Sequence, residues 1–398
     1  MSASPAALIW GRVIASLPAR CALGLVATVF LLGVYAPFLA TDACLVWHDT
    51  QGWRLPAVSA LFNRATMGKP HDLVFNLLAL GLPLLTVLWV ALRRWSVSRR
   101  LGLGALLLVL ATVGCALPLV PGPAGLRPLW RDRPVETATV SARDAGQGWG
   151  VAAPIPRRAD ATTAGAILLA PGERDPVTGS RFWLGTDSAG KDVAAQMLSG
   201  ARISLTVGLV ATGLSLFIGL LIGALSGYLG GWIDLILQRL VEIMMCFPTF
   251  ILILVVVALT GRDLFVIMTV IGLTSWAGTA RLVRGEFLAQ RVRDYVAGAE
   301  ALGLGRTRIM FRHILPNACT PLVISATFMV AGAVGSEAGL SFLGLGDPTV
   351  ASWGALLEQG RQNIRYAWLI YAPGLAVFAL VLALNVIGGA LRDALDPR

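Results

Sequence analysis

The sequence predicts an all-α polytopic membrane protein with about eight transmembrane helices and one long extracytoplasmic loop. Three observations predict it. Hydrophobic residues make up 56% of the 398 residues and charged residues 14%, whereas soluble domains run near ~25% charged. The mean hydropathy is +0.74. Apolar runs of membrane-crossing length recur along the chain, separated by polar stretches of which several are rich in arginine.

Residues 1–20 carry Arg12 and Arg20 and lead into the apolar run 21–40. That run exceeds the ~7–15-residue core of a signal peptide, and no A-x-A cleavage site precedes Asp42. A retained first span with a cytoplasmic N-terminus is expected. Residues 41–71, with Trp47, His48, Asp49, Trp53 and Arg54, are expected outside the cytoplasm. A second span is expected over 73–92. Arg93, Arg94, Arg99 and Arg100 then mark a cytoplasmic turn, and 101–120 returns as a third span.

Residues 121–200 are rich in Pro, Gly, Arg and Asp. The bias of basic residues toward the cytoplasm loses force in loops beyond ~60 residues. Asp132, Glu136, Asp144, Asp160, Glu173 and Asp175 also offset the arginines here, so the loop is expected outside. Within it, Ala164 to Ala170 fits a short strand and a helical turn equally.

Further spans are expected at 203–228, 241–260, 264–283, 319–343 and 368–390. Gly208, Gly213, Gly219, Gly223 and Gly227 punctuate the first of these, and small residues at such spacing let membrane helices approach closely. Counting from a cytoplasmic N-terminus places the turn Gly230–Arg239, the stretch Arg291–Asn317 and the C-terminal Leu391–Arg398 in the cytoplasm. The implied organisation is an N-terminus and first span (1–40), an extracytoplasmic segment plus two spans (41–121), a loop (122–202) and a core (203–398).

Composition also excludes classes. The net charge of +10 follows from arginines in cytoplasmic loops, and they form no continuous stripe for nucleic acid. Cys21, Cys44, Cys115, Cys246 and Cys319 encode no disulfide framework or CxxC site, and His48, His71 and His313 are too scattered for a metal cluster. Gly185 to Asp192, GTDSAGKD, nearly spells a phosphate loop. Its last residue is Asp192, which repels phosphate and offers no hydroxyl for magnesium. Neither GxSxG nor HExxH occurs, so no catalytic residue, metal or cofactor is expected.

Glu337 falls inside the seventh expected span, where a carboxylate costs about 2.5–3.5 kcal/mol on insertion scales. It reads either as a proton relay or as a carboxyl paired with a hydroxyl or backbone group near a glycine-induced helix break. Glu242, with Asp234 and Arg239, reads as an interfacial anchor at the cytoplasmic end of a span.

The stretch Arg291–Asn317 holds five arginines between two apolar runs. Hydrocarbon cannot take such a hairpin, because each unpaired backbone group there costs about 2–7 kcal/mol. Tyr295 to Leu302 reads as a short helix with Val296, Ala299 and Leu302 on one face and Asp294 as N-cap; Gly303 and Gly305 end it. Arg306 to Ile314 reads as a basic amphipathic helix with Ile309, Met310 and Ile314 toward the membrane. Pro316 disfavours helix at Leu315 and sets a sharp re-entry. The small residues Ala297-Gly298-Ala299 and Ala301-Leu302-Gly303 suit close approach by another protein, while an ordinary amphipathic loop fits the same residues.

This hairpin resembles the coupling loop of ABC-importer permeases, whose pattern runs E-A-A, then a glycine, then I-x-L-P. Ala297-Gly298-Ala299 stands at E-A-A, Gly303 at the glycine and His313-Ile314-Leu315-Pro316 at the end. Ala297 replaces the usual acid and Gly298 an alanine, which weakens the helix by roughly 1 kcal/mol. Leu184–Leu209, Gly227–Gly231, Leu340–Gly346 and Leu391–Pro397 are similar to the same positions of dipeptide and oligopeptide permeases of the C type (DppC/OppC). Leu39–Asp42 with Trp47–Pro56 resembles the branch called YejE. Residues 57–181 depart from its usual six-span plan.

The resemblance implies an ABC importer type I permease core in a bacterial inner membrane, with a second homologous permease, two cytoplasmic ATPase subunits and an extracytoplasmic substrate-binding protein as partners, besides membrane lipid. It implies peptide import, with another cargo such as nickel chelates as the alternative within the family and a proton-driven carrier outside it. Asp294, Tyr295, Ala297, Gly298, Ala299, Leu302, Gly303, Arg312, Pro316 and Asn317 are the implied ATPase-coupling residues.

Overall fold

A computed structural model describes residues 5–50, 52–64, 67–92, 97–117, 120–122, 125–127, 129–131, 148–176 and 178–395. In chain order the elements are α1 (Pro5–Ala15), α2 (Leu17–Leu39), β1 (Val46–Asp49), β2 (Gly52–Arg54), α3 (Pro56–Ala60), α4 (Pro70–Ala91) and α5 (Val97–Ala116). The short strands β3 (Val120–Gly122), β4 (Gly125–Arg127) and β5 (Trp149–Val151) follow. The remainder is helical: α6 (Val193–Leu229), α7 (Gly231–Cys246), α8 (Thr249–Thr260), α9 (Leu264–Arg291), α10 (Asp294–Ala301), α11 (Arg306–Arg308), a π-helical turn (Ile309–Ile314), α12 (Leu315–Ala318), α13 (Thr320–Phe342), α14 (Trp353–Gln362) and α15 (Trp368–Leu395).

Among the described residues six helices are long and apolar enough to cross a membrane, namely α2, α4, α6, α9, α13 and α15, and a bent pair, α7 with α8, raises the number to seven. The sequence had suggested about eight. The expected straight span 241–260 is broken: α7 and α8 meet at 82°. The cause is Pro248, whose ring pushes the preceding residue out of the helical region, and Phe247 is extended with φ −87° and ψ 132°. The expected span 101–120 is shorter. Its apolar helical part is Gly102–Ala116, less than the ~20 residues a spanning helix needs. Arg93 and Arg94, expected in the preceding turn, lie outside the described residues, as do Asp132, Glu136 and Asp144 of the loop. Ala164–Ala170 is neither strand nor helix but a run of turns.

Residues Met1–Val29, Ile203–Ile364 and Ile370–Arg398 form one compact unit, and Phe30–Arg202 with Arg365–Leu369 another. The first is a helical bundle. One core cluster joins Ile203, Val207 and Ala211 of α6 to Ile253 and Val257 of α8, Ile267 and Met268 of α9, and Leu340 of α13. The glycines of α6 explain how closely the helices approach. A Cβ at Gly219 would lie 2.5 Å from Thr279 Cβ, one at Gly223 2.5 Å from the Ala280 carbonyl, and one at Gly227 2.7 Å from Phe287 Cβ. Positions 219, 223 and 227 rise with 279, 280 and 287, so α6 and α9 run in the same direction with the backbone of one seated on the other. Gly208 packs on Val330 in the same way, whereas Gly213 faces open space.

The second unit contains the sheet β2-β1-β5, all antiparallel, with Trp47 opposite Gly150. Trp47 is buried and its Nε1 donates to Asp49 at 2.9 Å. A Cβ at Gly148 would lie 2.5 Å from the Trp47 ring, so a glycine is required there. The sheet brings residues 46–54 beside residues 149–151 of the long loop. The loop itself is tied by Arg157, which donates to Asp175 at 2.9 Å and Asp192 at 3.3 Å and lies 4.0 Å from the centre of the Phe182 ring.

Candidate functional site

The hairpin Arg291–Asn317 follows directly from the end of α9. With 28 residues, α9 is about 42 Å long and exceeds the ~30 Å hydrocarbon core. Measured from Leu264, a core of that depth ends near Arg284, and the last turns carry Glu286 and Arg291 past it. Arg284 grips Asp234 of α7 through Nε and Nη2, both at 2.7 Å, and Ser226 also bonds this carboxylate. Asp234 is thus an internal clamp. Glu242 pairs instead with Arg239 at 2.6 Å, on an exposed surface.

The first arm of the hairpin is α10. Arg293, with extended backbone, occupies the N-cap position, and Asp294 is the first helical residue. Asp294 therefore acts through its charge in the first turn rather than as the expected cap. Two bonds close the other end: Gly303 N–H donates to the Glu300 carbonyl at 2.9 Å and Leu304 N–H to the Ala299 carbonyl at 3.2 Å. This pattern is the Schellman stop, and it needs a left-handed residue at Gly303, whose φ is +74°. Leu304 folds back onto the cluster that holds Ala299, as the motif requires.

The second arm departs from a regular amphipathic helix. Ile309–Ile314 is widened into a π turn, and Leu315 N–H reaches the Met310 carbonyl, five residues back. The widening lets the chain pass Pro316, which has no N–H to give. Leu315 consequently stays helical at φ −53° and ψ −45°, against the expectation of an extended residue. Asn317 Nδ2 donates to the His313 carbonyl at 2.9 Å. Ile309, Met310 and Ile314 are buried against Val283, Phe287, Ala224 and Tyr228. They face the helical bundle, where the sequence had suggested the membrane.

Two sets of residues result. Val296 and Ala299 point inward with the π turn. Ala299, expected on the docking surface, belongs to the floor beneath it. Ala297, Gly298, Ala301, Leu302 and Gly303 are exposed, and Leu302 is 82% exposed. A Cβ at Gly298, Gly303 or Gly305 would meet nothing within 4 Å. Nothing inside this chain requires Gly298 to be small. Tyr295 is exposed and donates to Gln290 Oε1 at 2.9 Å, and Arg291, Arg293, Arg306, Arg308 and Arg312 surround the patch, all exposed. The hairpin therefore offers a small-residue apolar patch with five exposed arginines around it and the exposed acids Asp294 and Glu300 on the same helix.

Glu337 lies elsewhere in the bundle, 2% exposed, and accepts from the Ser341 hydroxyl at 2.8 Å. A side chain at Gly346 or Gly354 would collide with Ser341. The hydroxyl partner is the one expected for a paired carboxyl, but the glycine-induced break expected with it does not occur: α13 is continuous from Thr320 to Phe342. The phosphate-loop look-alike is filled by its own carboxylates. Asp187 accepts from Ala189 N–H and Lys191 N–H, both at 2.8 Å, and from Gln196 Nε2 at 2.9 Å. Asp192 accepts from Ala194 N–H at 2.8 Å and caps α6. The backbone donors that a phosphate would need are taken. Burial raises the Asp192 carboxyl above the usual range, against the pull of Ala195 N–H, Arg157 and Ala194 N–H.

Sequence reasoning missed the Asp234–Arg284 clamp and the roles of Leu304 and Arg293. Only the Schellman pattern had a local signal, a leucine directly after Gly303.

Residues 219–398 match the family described as the binding-protein-dependent transport system inner membrane component. The peptidoglycan transport system permease protein YejE of Agrobacterium fabrum is 40% identical over 230 residues, 57% of this chain and 60% of its own. The dipeptide transport system permease protein DppC of Alkalihalophilus pseudofirmus is 37% identical over 221 residues, 55% of this chain and 73% of its own. The glutathione transport system permease protein GsiD of Pectobacterium atrosepticum is 38% identical over 221 residues, with the same coverage. At this identity, over nearly three quarters of the length of the last two relatives, the chain belongs to the family of inner-membrane components of binding-protein-dependent transport systems.

Proposed function

We propose that this chain is one permease subunit of an ATP-driven importer of peptides and that the hairpin Arg291–Asn317 is its ATPase-coupling element. The observation that carries the coupling role is the patch on α10. Ala297, Gly298, Leu302 and Gly303 are exposed, small or apolar, and free of any packing demand from their own chain. Beneath them Val296 and Ala299 are locked into the bundle core with Phe287 and Ile314. A force applied to the patch passes to α6, α9 and α13 through packed side chains. That is the mechanical requirement for converting closure of two ATPase subunits into rocking of the spans. Hydrolysis belongs to those subunits.

The peptide assignment is supported by relatives named for dipeptide, glutathione and peptidoglycan transport. In this reading a second homologous permease completes the pathway and a binding protein delivers cargo on the extracytoplasmic side. Both termini and the hairpin are cytoplasmic in this reading, which the arginine distribution supports. The units of the chain follow as an N-terminal span (1–40), two added helices (41–121), an extracytoplasmic loop (122–202) and the coupling core (203–398).

The test is peptide uptake into cells carrying Gly298→Leu or Leu302→Arg, with membrane abundance measured in parallel. Uptake should fall at least tenfold at unchanged abundance. Undiminished uptake in both variants contradicts the coupling role.

A further inference from the structure

A cleft of about 330 Å³ runs between α4 and α5. Its wall is apolar for most of its length, with Leu85, Leu88 and Leu92 on one side and Leu103 and Leu108 on the other, and it extends to Leu78. From Leu78 to Leu92 a helix rises about 21 Å, more than the ~15 Å depth of one leaflet of a bilayer with a ~30 Å core. At one end the wall changes character. Arg100 lines the cleft there, its guanidinium 5.2 Å from the centre of the Trp89 ring, and exposed Arg99 is next to it. The sequence holds no Asp or Glu between Asp72 and Asp132, so the hairpin brings no acid of its own to this end. Gly104 borders open space in the groove, since a Cβ there would meet nothing within 4 Å, and a larger side chain at this position would project into it.

A long apolar slot of leaflet depth, closed at one end by an aromatic ring and one cation with a second, exposed cation beside it, matches one molecule in shape and charge. We propose that the cleft between α4 and α5 holds an anionic phospholipid, with an acyl chain along the leucines and its phosphate at Arg99 and Arg100. The aromatic ring sits where the glycerol region of such a lipid lies, and the arginines where its headgroup lies.

The experiment uses the full chain in phosphatidylcholine nanodiscs containing a minor fraction of phosphatidylglycerol with the same acyl chains, and counts retained lipids by native mass spectrometry. The wild-type chain should retain phosphatidylglycerol over phosphatidylcholine. Arg99→Gln and Arg100→Gln should each weaken that preference about fivefold, the equivalent of one basic residue at a membrane surface. Arg100→Lys should keep it, which separates lost charge from lost fold. Gly104→Leu should abolish retention with both arginines in place. Equal retention of the two lipids, indifference to Gly104→Leu, displacement of the signal by inorganic phosphate, or a protein helix crosslinked in the cleft in place of lipid would each overturn the proposal.

Discussion

Arg202 Nε donates to the carbonyl of Gly33 at 2.6 Å. That carbonyl is the one left without a helical partner by Pro37, four residues further along α2. The same guanidinium gives Nη2 to the Val34 carbonyl at 3.1 Å and to Asn76 Oδ1 at 2.9 Å, and Nη1 lies 3.5 Å from Asp72 Oδ1. Its face rests over Phe75, 5.3 Å from the ring centre. A buried arginine thus joins α2, α4 and α6 by answering a backbone group that a proline orphaned.

Replacing Arg202 by Met should destabilise the protein by about 3–5 kcal/mol, because it removes the cation facing Asp72 and the donor to Asn76 Oδ1 and to the orphaned Gly33 carbonyl. Pro37→Ala restores an N–H for Gly33. In that background the cost of Arg202→Met should shrink by about 1 kcal/mol, the net worth of one hydrogen bond. Unfolding of the four proteins in mixed micelles measures the coupling. Strict additivity would show that the Gly33 bond carries no stability.

The glycines of α6 give an internal comparison. Gly223→Val drives two methyl groups into the Ala280 carbonyl and Val283, where even a Cβ lies too close. It should cost about 1–3 kcal/mol or more. Gly213→Ala on the same helix meets nothing within 4 Å. It should be neutral or stabilise by up to about 1 kcal/mol through helix propensity. Thermal melts of the purified variants distinguish a demand for close packing from a general tolerance of glycine.

Arg157 serves two carboxylates, Asp175 and Asp192, with one charge. The Asp192 carboxyl is held above its usual range by burial. The folded loop therefore binds a proton more readily than the unfolded chain. Its contribution to stability is fully present below the unfolded value of ~3.9 and is lost as pH rises through the folded value. Hydrogen exchange of the Gly185–Asp192 amides, corrected for intrinsic rates, should show protection increasing on mild acidification. Asp192→Asn should remove that dependence, and Arg157→Met should strengthen it.

Within the hairpin the structure separates two neighbouring alanines. Ala299 is 5% exposed and Ala297 is exposed. Ala299→Leu should lower stability by about 1–3 kcal/mol through overpacking against the core. Ala297→Leu should leave stability within ~0.5 kcal/mol, as surface substitutions do, and still impair uptake. Melting temperature and uptake, measured on the same pair, should therefore respond to different variants.

The parts of this fold legible in the sequence are those fixed by local chemistry. A spanning helix must satisfy its own backbone within one run of residues, so the apolar stretches of α2, α4, α6, α9, α13 and α15 stand out by composition alone. The stop at Gly303 is equally local. The kink at Phe247-Pro248 had a local signal in Pro248, and hydropathy, which averages over a window, hid it. Facing is harder. Moving the N-cap from Asp294 to Arg293 leaves α10 intact, and only packing against Phe287 and Ile314 shows that Ala299 is floor and Ala297 surface. Pairings across distance have no sequence signal. Asp234 and Arg284 are 50 residues apart, and Trp47 meets Gly150 across the two added helices. The π turn before Pro316 arises from a conflict between a proline and a buried apolar face, which neither periodicity nor propensity expresses.

The proposed coupling role requires the exposed face of α10 to touch an ATPase. A single cysteine at Leu302, in a chain with its five native cysteines replaced, tests it by short-spacer crosslinking in membranes that contain the whole transporter. Leu302→Cys should crosslink to an ATPase subunit in a manner altered by ATP, and Ala299→Cys, in the floor, should not. A Leu302→Cys chain that crosslinks to no ATPase while peptide uptake continues would contradict it.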